Sequence, residues 1–264
     1  DRAMIAGEDL RQAFVVTSYE IRKYLRSRRL LGMMDLLALI IGLILGLPPA
    51  LGSPYPSTAN AFVGTFAGFT ALFAVLCGVL FAADALCSEH EKRTGYFLFP
   101  NPVRRETIVL GKLLASLAAS WTILLIYYGV ASAAALAVTG GLTWEVGLSA
   151  AYALAYVTCI VGVAFLLSSV LKGTIAATVL TFFLFTLIFT IVGALLFVGK
   201  VDPWFIPTDA AGIISNILSA PGQGPPGFRA FVPEPAISLA VFAGYFVIGS
   251  IVATVMFRRR ELKT

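Results

Sequence analysis

Residues 174–198 read TIAATVLTFFLFTLIFTIVGALLFV, 25 positions without one charged side chain. A helix rises 1.5 Å per residue, so about 20 apolar residues cross the hydrocarbon of a bilayer. A run of this length names its solvent as lipid. Five more stretches meet the requirement or come close: Leu30–Leu47, Ala61–Ala83, Leu113–Val138, Val146–Leu171 and Ile237–Phe257. Pro48-Pro49, Gly140-Gly141, Lys172-Gly173 and the Pro- and Gly-rich stretch Asp202–Pro235 separate them as helix stops. Continuous runs of this kind fit helices far better than ten-residue barrel strands of alternating polarity. The expected fold class is an all-α membrane protein with six transmembrane helices.

Composition agrees. Of 264 residues, 59% are apolar and 12% charged, with a mean hydropathy of +0.91. Soluble domains carry roughly a quarter charged residues. The net charge of +5 could by itself indicate nucleic acid or an anionic membrane surface. Its distribution decides. Six spans return the chain to the side on which it starts, and 17 of the 19 Lys and Arg fall on that side. Lys200 and Arg229 lie opposite. Basic residues mark the cytoplasmic side, so both termini are expected in the cytoplasm, in the cell membrane, with no nucleic-acid partner. No cleavable leader is read at the N-terminus, where mostly polar and basic residues precede the first apolar run.

Two segments are not spans. Asp9–Arg29 mixes Leu10, Phe14, Ile21 and Leu25 with Arg11, Arg22 and Arg26, the pattern of an amphipathic helix lying on the cytoplasmic leaflet. In the connection 199–236 on the opposite side, Trp204 and Phe205 precede Thr208, read as an N-cap for a short interfacial or re-entrant helix over Ala210–Leu218. The pairs Gly42/Gly46 and Gly64/Gly68 have the spacing of close helix approach.

Catalytic signatures are missing from the sequence. His90 is the one histidine and begins no HExxH zinc motif. The stretch Gly193–Lys200 resembles a phosphate loop, but is one residue too long and ends in Val201 where a hydroxyl is needed. Cys77, Cys87 and Cys159 form no CxxC pair and read as packed free thiols. No catalytic residue, metal site or bound cofactor is expected in this chain. Asp35 lies about 7–8 Å into the first span and reads as a structural pair with a nearby basic residue, since a charge relay would need midplane partners.

Two aromatic stripes are more suggestive. Phe62, Phe66, Phe69 and Phe73 recur at i, i+4, i+7 and i+11 in the second span. Thr178, Phe182, Phe185 and Phe189 repeat that spacing in the fifth. Each set is expected on one helix face, and the two overlap in the outer half of the bilayer. They are candidates for a hydrophobic constriction on a translocation path.

The polar stretch 84–112 reads DALCSEHEKRTGYFLFPNPVRRETIVLGK. Its acidic pair Glu89 and Glu91, the Thr94-Gly95 turn, the apolar pair around Leu98, Pro102 with Arg104-Arg105, and Gly111-Lys112 resemble the ABC-2 family of ABC-transporter permeases. The basic segment Tyr19–Arg29 is similar to that family's connecting helix before the first span. The six-span layout, large outer connection and basic tail match as well, so the resemblance covers essentially the whole chain. It implies a half-transporter of the exporter type: two permease chains, identical or paralogous, working with two separate ATPase chains that bind ATP and Mg. It places the ATPase contact on Glu89, Glu91, Arg93, Gly95, Pro102, Arg104 and Arg105, with Arg22 and Arg26 from the connecting helix. It also places spans two and five, and so both stripes, at the dimer centre. A membrane-embedded enzyme would need a convergent catalytic set. An ATPase-independent channel or lipid flippase stays open as the alternative, distinguished by transport without a nucleotide-binding partner.

Overall fold

The computed structural model describes residues 2–88, 105–219 and 233–259, the side chains of 2–10, 105 and 259 excepted. Among the described residues every regular element is helical. A leading helix, Arg2–Leu25, precedes six helices long and apolar enough to cross a membrane. Spans one to six run Arg28–Ala50, Ala59–Phe81, Glu106–Thr139, Trp144–Val170, Thr174–Val198 and Pro235–Arg258. The all-α, six-span architecture is the one the apolar runs predict.

The ends of the helices differ from the sequence reading where a local contact overrides a stop signal. Span one continues through Pro48 and Pro49 to Ala50. Pro49 has no N–H for the Leu45 carbonyl, and the Tyr55 hydroxyl donates to that carbonyl instead. Gly52, at φ +67°, then turns the chain in a conformation that favours glycine. The helix of span three begins at Arg105, ahead of the expected Leu113, and its 35 residues reach roughly 52 Å. That length exceeds the roughly 30 Å of a bilayer's hydrocarbon core. In the opposite connection, Thr208 is not the N-cap. Ile206 caps, Pro207 takes the first helical position, and the expected short helix is split into Pro207–Ala210 and Ile213–Asn216.

Spans two, three and four form the centre, around buried Phe66, Phe73, Tyr127 and Tyr156. Span six lies along span four. A Cβ on Gly162 would stand 2.7 Å from the Phe246 Cα, and one on Gly249 2.5 Å from the Gly162 carbonyl oxygen. These glycines let the two backbones touch. Gly42, Gly46, Gly64 and Gly68 face open space instead, so the Gly-x-x-x-Gly pairs mediate no close approach among the described residues. Their spacing aligns two glycines on a face but does not choose which face meets a helix. Spans one and five are peripheral, with Leu43, Leu47, Ile175 and Val198 exposed. Asp35 lies exposed on span one, and among the described residues the expected structural pair with a basic side chain does not form.

Candidate functional site

The polar contacts of the chain converge on the side of the termini, where span two ends and span three begins. In the leading helix, Ala13, Thr17, Glu20 and Tyr24 recur at i, i+4, i+7 and i+11 and share one face. That face packs on span three, with Ala13, Glu20 and Tyr24 buried. Phe14 and Tyr19 point away, 75% and 70% exposed. The outward side mixes these aromatic rings with exposed Arg11, Arg22 and Arg26, while the helix buries a line of small and polar residues against span three.

Gly111 sets the approach. A Cβ there would lie 2.7 Å from the Val16 Cβ and 2.9 Å from the Ala13 carbonyl oxygen. Thr17 shares its hydroxyl proton between the Ala13 carbonyl at 2.8 Å and the Gly111 carbonyl at 3.0 Å. One residue on, the Lys112 ammonium meets Glu20 Oε1 at 2.7 Å, both side chains being almost fully buried. Lys23 takes the other carboxylate oxygen at 2.9 Å. Burial alone would push the Glu20 carboxyl up, but Lys112, and then Lys23, outweigh it and hold the group below the ordinary carboxylate range.

One turn further, Tyr24 ties the leading helix to the end of span two. Span two stops at Phe81, whose carbonyl is one of the orphan acceptors of a helix C-terminus. The Tyr24 hydroxyl donates to it at 2.8 Å and the Ser116 hydroxyl at 2.6 Å. Burial pushes the Tyr24 phenol up, so it stays a neutral donor. Arg29, at the start of span one, meets Asp84 at 2.6 Å and the Leu80 carbonyl at 3.3 Å. From span four, buried Ser168 accepts the N–H of Leu86 at 2.9 Å and of Cys87 at 3.1 Å. Segment 80–87 is thus held by the leading helix and by spans one, three and four. These contacts join four separate elements at one place, so a displacement of segment 80–87 is shared among them.

Of the coupling residues read from the sequence, Arg22, Arg26 and Arg105 are among the described ones. Arg22 and Arg26 are exposed on the leading helix. Arg105 opens the span-three helix. Glu89, Glu91, Arg93, Gly95, Pro102 and Arg104 lie outside the described residues. Sequence reasoning assigned no role to Glu20, Tyr24, Lys112, Ser116 or Ser168. The polar repeat Thr17, Glu20, Tyr24 was the available signal, since those positions share a helix face.

The aromatic stripes pack partly inside the chain and partly at its surface. Phe66 and Phe73 are buried inside the chain against Tyr127, with ring centroids 5.7 and 4.6 Å away. Phe69 is 41% exposed and lines a small apolar cleft with Leu43, Leu47 and Tyr55. In span five, a π-helical turn over Leu184–Ile188 slows the rotation of the helix. The inward line becomes Ala177, Thr181, Phe185, Phe189 and Gly193, four apart throughout, with Thr178 and Phe182 at its margin. Phe185 packs on Tyr156 of span four, and Phe189 on Tyr245 of span six. The rings of the two stripes are therefore engaged with other partners and do not stack on each other.

A family model described as ABC-2 family transporter protein matches residues 14–262, nearly the whole chain. No curated protein matches it.

Proposed function

Because the chain belongs to the ABC-2 family of transporter membrane proteins, we propose that it is a permease subunit driven by a separate ATPase chain and working as an exporter in the cell membrane. Two permease chains, identical or paralogous, and two ATPase chains make the working unit. ATP and Mg bind on the ATPases.

The observation that carries this reading is the fourfold fixation of segment 80–87 beside the start of span three. The stretch 89–104, to which the family resemblance assigns the ATPase contact, leaves the described chain at Ser88 and rejoins it at Arg105. A displacement imposed on that stretch by closing ATPases meets clamped ends. It is passed to spans two and three together, and through Tyr24 and Lys112 to the leading helix. Glu89, Glu91, Arg93, Gly95, Pro102, Arg104 and Arg105 would meet the ATPase, flanked by exposed Arg22 and Arg26. In the transport path, Phe69, the exposed ring of the span-two stripe, would meet a second chain, backed by Phe66 and Phe73. From span five, Thr178 and Phe182 would face the path, with Phe185 and Phe189 packed behind them against spans four and six.

Charge reversal tests the reading. Glu89→Lys and Arg104→Glu should leave membrane insertion intact while abolishing substrate-stimulated ATP hydrolysis in the purified complex. Transport by the chain alone, with no ATPase co-purifying, would overturn it in favour of an independent channel or flippase.

A further inference from the structure

On the face opposite the termini, the short helices Pro207–Ala210 and Ile213–Asn216 form an outer pair that packs on spans four, five and six. Toward span four the contact is hydrogen-bonded. Ser149 donates its one proton to the Ile214 carbonyl at 2.7 Å, an acceptor left open because the Leu218 N–H turns to Ser215. The Tyr128 hydroxyl is then the donor in its 3.0 Å contact with Ser149, and Thr70 donates to Tyr128 at 3.3 Å. This relay ties the outer pair to spans two, three and four, with every proton assigned.

Toward span five the contact is a carboxyl without a partner. Asp209 presses on Gly193, where a Cβ would stand 2.9 Å from the Asp209 Cγ and closer still to Oδ2. Oδ2 is buried there without a hydrogen bond, as is the neighbouring Thr208 Oγ1, and among the described residues no cation pairs with the carboxyl. The elements around it supply none. Residues Phe189–Val198 of span five contain no titratable side chain. Span four brings Glu145, Tyr152, Tyr156 and Cys159 and span six Tyr245, while Arg258 lies at the far end of span six. Lys200, Asp202 and Glu234 are exposed in the flanking loops. Burial pushes the Asp209 carboxyl up. The neutral acid is the favoured form in this seat, since an ionised Oδ2 would have neither water nor a partner.

Deeper in span five lies the π turn Leu184–Ile188, a helix defect found where helices bend. We propose that Asp209 is a proton-operated latch: protonated, it seats against Gly193 and holds the outer half of span five, and ionised, it withdraws and lets that half swing from the π turn. The outer pair stays with spans two, three and four, held by the relay. The apolar cleft of about 760 Å³ between spans four, five and six, which includes Leu184 and Phe189 and reaches Trp204 and Phe205, then widens. Docking is strongest below about pH 3.9, the ordinary carboxyl value, and weakens as pH rises through the raised one. The latch stands on the contact alone. That it opens a transport path rests on the permease reading.

The test places nitroxide labels at Trp144→Cys and Val198→Cys, exposed positions at the outer ends of spans four and five. The native thiols are buried and stay unlabelled. The full chain sits in phosphatidylcholine nanodiscs, without any ATPase. Double electron–electron resonance is recorded from about pH 4 to about pH 8, a range above the ordinary carboxyl value. A longer-distance population should be minor at the acid end and grow severalfold as pH rises. Asp209→Asn, which stays neutral, should hold the short distance throughout. Gly193→Ala, which fills the carboxyl's seat, should show the long distance even at the acid end, and serves if Asp209→Asn fails to fold. A distance independent of pH with Asp209 and Gly193 in place, a shift in the opposite direction, or the same titration in Asp209→Asn would overturn the proposal. That failure would leave the permease reading standing, just as a missing ATPase partner would leave the latch standing.

Discussion

The two ends of the molecule use similar polar residues to opposite effect. At the junction on the side of the termini, donors and acceptors are matched: Glu20 with Lys112 and Lys23, the Phe81 carbonyl with Tyr24 and Ser116, Ser168 with two backbone N–H groups. In the cleft on the opposite face, between the first turns of spans two and four, Thr65 and Ser219 donate to carbonyls of their own turns, and Glu145 keeps an unpartnered oxygen. Bonds that join distant segments resist displacement, whereas bonds within one turn tie nothing together across the fold. Substitutions at the junction should therefore cost stability, and substitutions in the cleft should cost little.

The largest effect is expected for Lys112→Met. It leaves the buried Glu20 carboxylate with Lys23 alone, and removing one partner of a buried pair costs about 3–5 kcal/mol. Amide hydrogen exchange should show the leading helix losing protection first. Unchanged protection would break the comparison at its strongest point. The double change Tyr24→Phe with Ser116→Ala comes next. Either alone leaves the Phe81 carbonyl one donor, at a cost of about 1 kcal/mol. Together they orphan a buried carbonyl, so the loss in unfolding midpoint should exceed the sum of the singles.

Acid offers a milder test of the same pair. The Glu20 carboxyl is held below its ordinary range in the fold, so its ion pairs contribute fully above that range. The contribution is lost as pH falls through the depressed value. Thermal unfolding followed across acid pH should lose a stability limb in Glu20→Gln, and an identical profile would show that the pair contributes nothing. The smallest effect is expected for Glu145→Gln, under about 1 kcal/mol, since it breaks no hydrogen bond to Oε2. A large destabilisation there would mean that the cleft is structural after all.

Much of the architecture was legible in the runs of apolar residues, because crossing a bilayer imposes a length and a composition that few other folds satisfy. Span ends were less so. Pro48 and Pro49 read as a stop, yet Tyr55, a residue beyond the helix, supplies the donor that lets it continue. The aromatic stripe of span five was read on an α-helical period, and a π turn shifted the inward line by a position. Glycine spacing pointed to Gly42/Gly46 and Gly64/Gly68, while the close approaches fall at Gly111, Gly162 and Gly249. The coupling stretch was recognised through its motif, but the residues that clamp its ends were not, since Tyr24, Phe81 and Ser168 are far apart in the chain.

By itself, then, the sequence determined the solvent, the number of crossings, the side of the basic residues and the family, all of which depend on local composition and order. The tertiary structure decided which polar groups find each other. Hydrogen bonds and ion pairs act over about 3 Å between residues as distant as Glu20 and Lys112 or Leu86 and Ser168. Whether a serine is a clamp or a spare acceptor depends on that meeting, and only the packed helices arrange it.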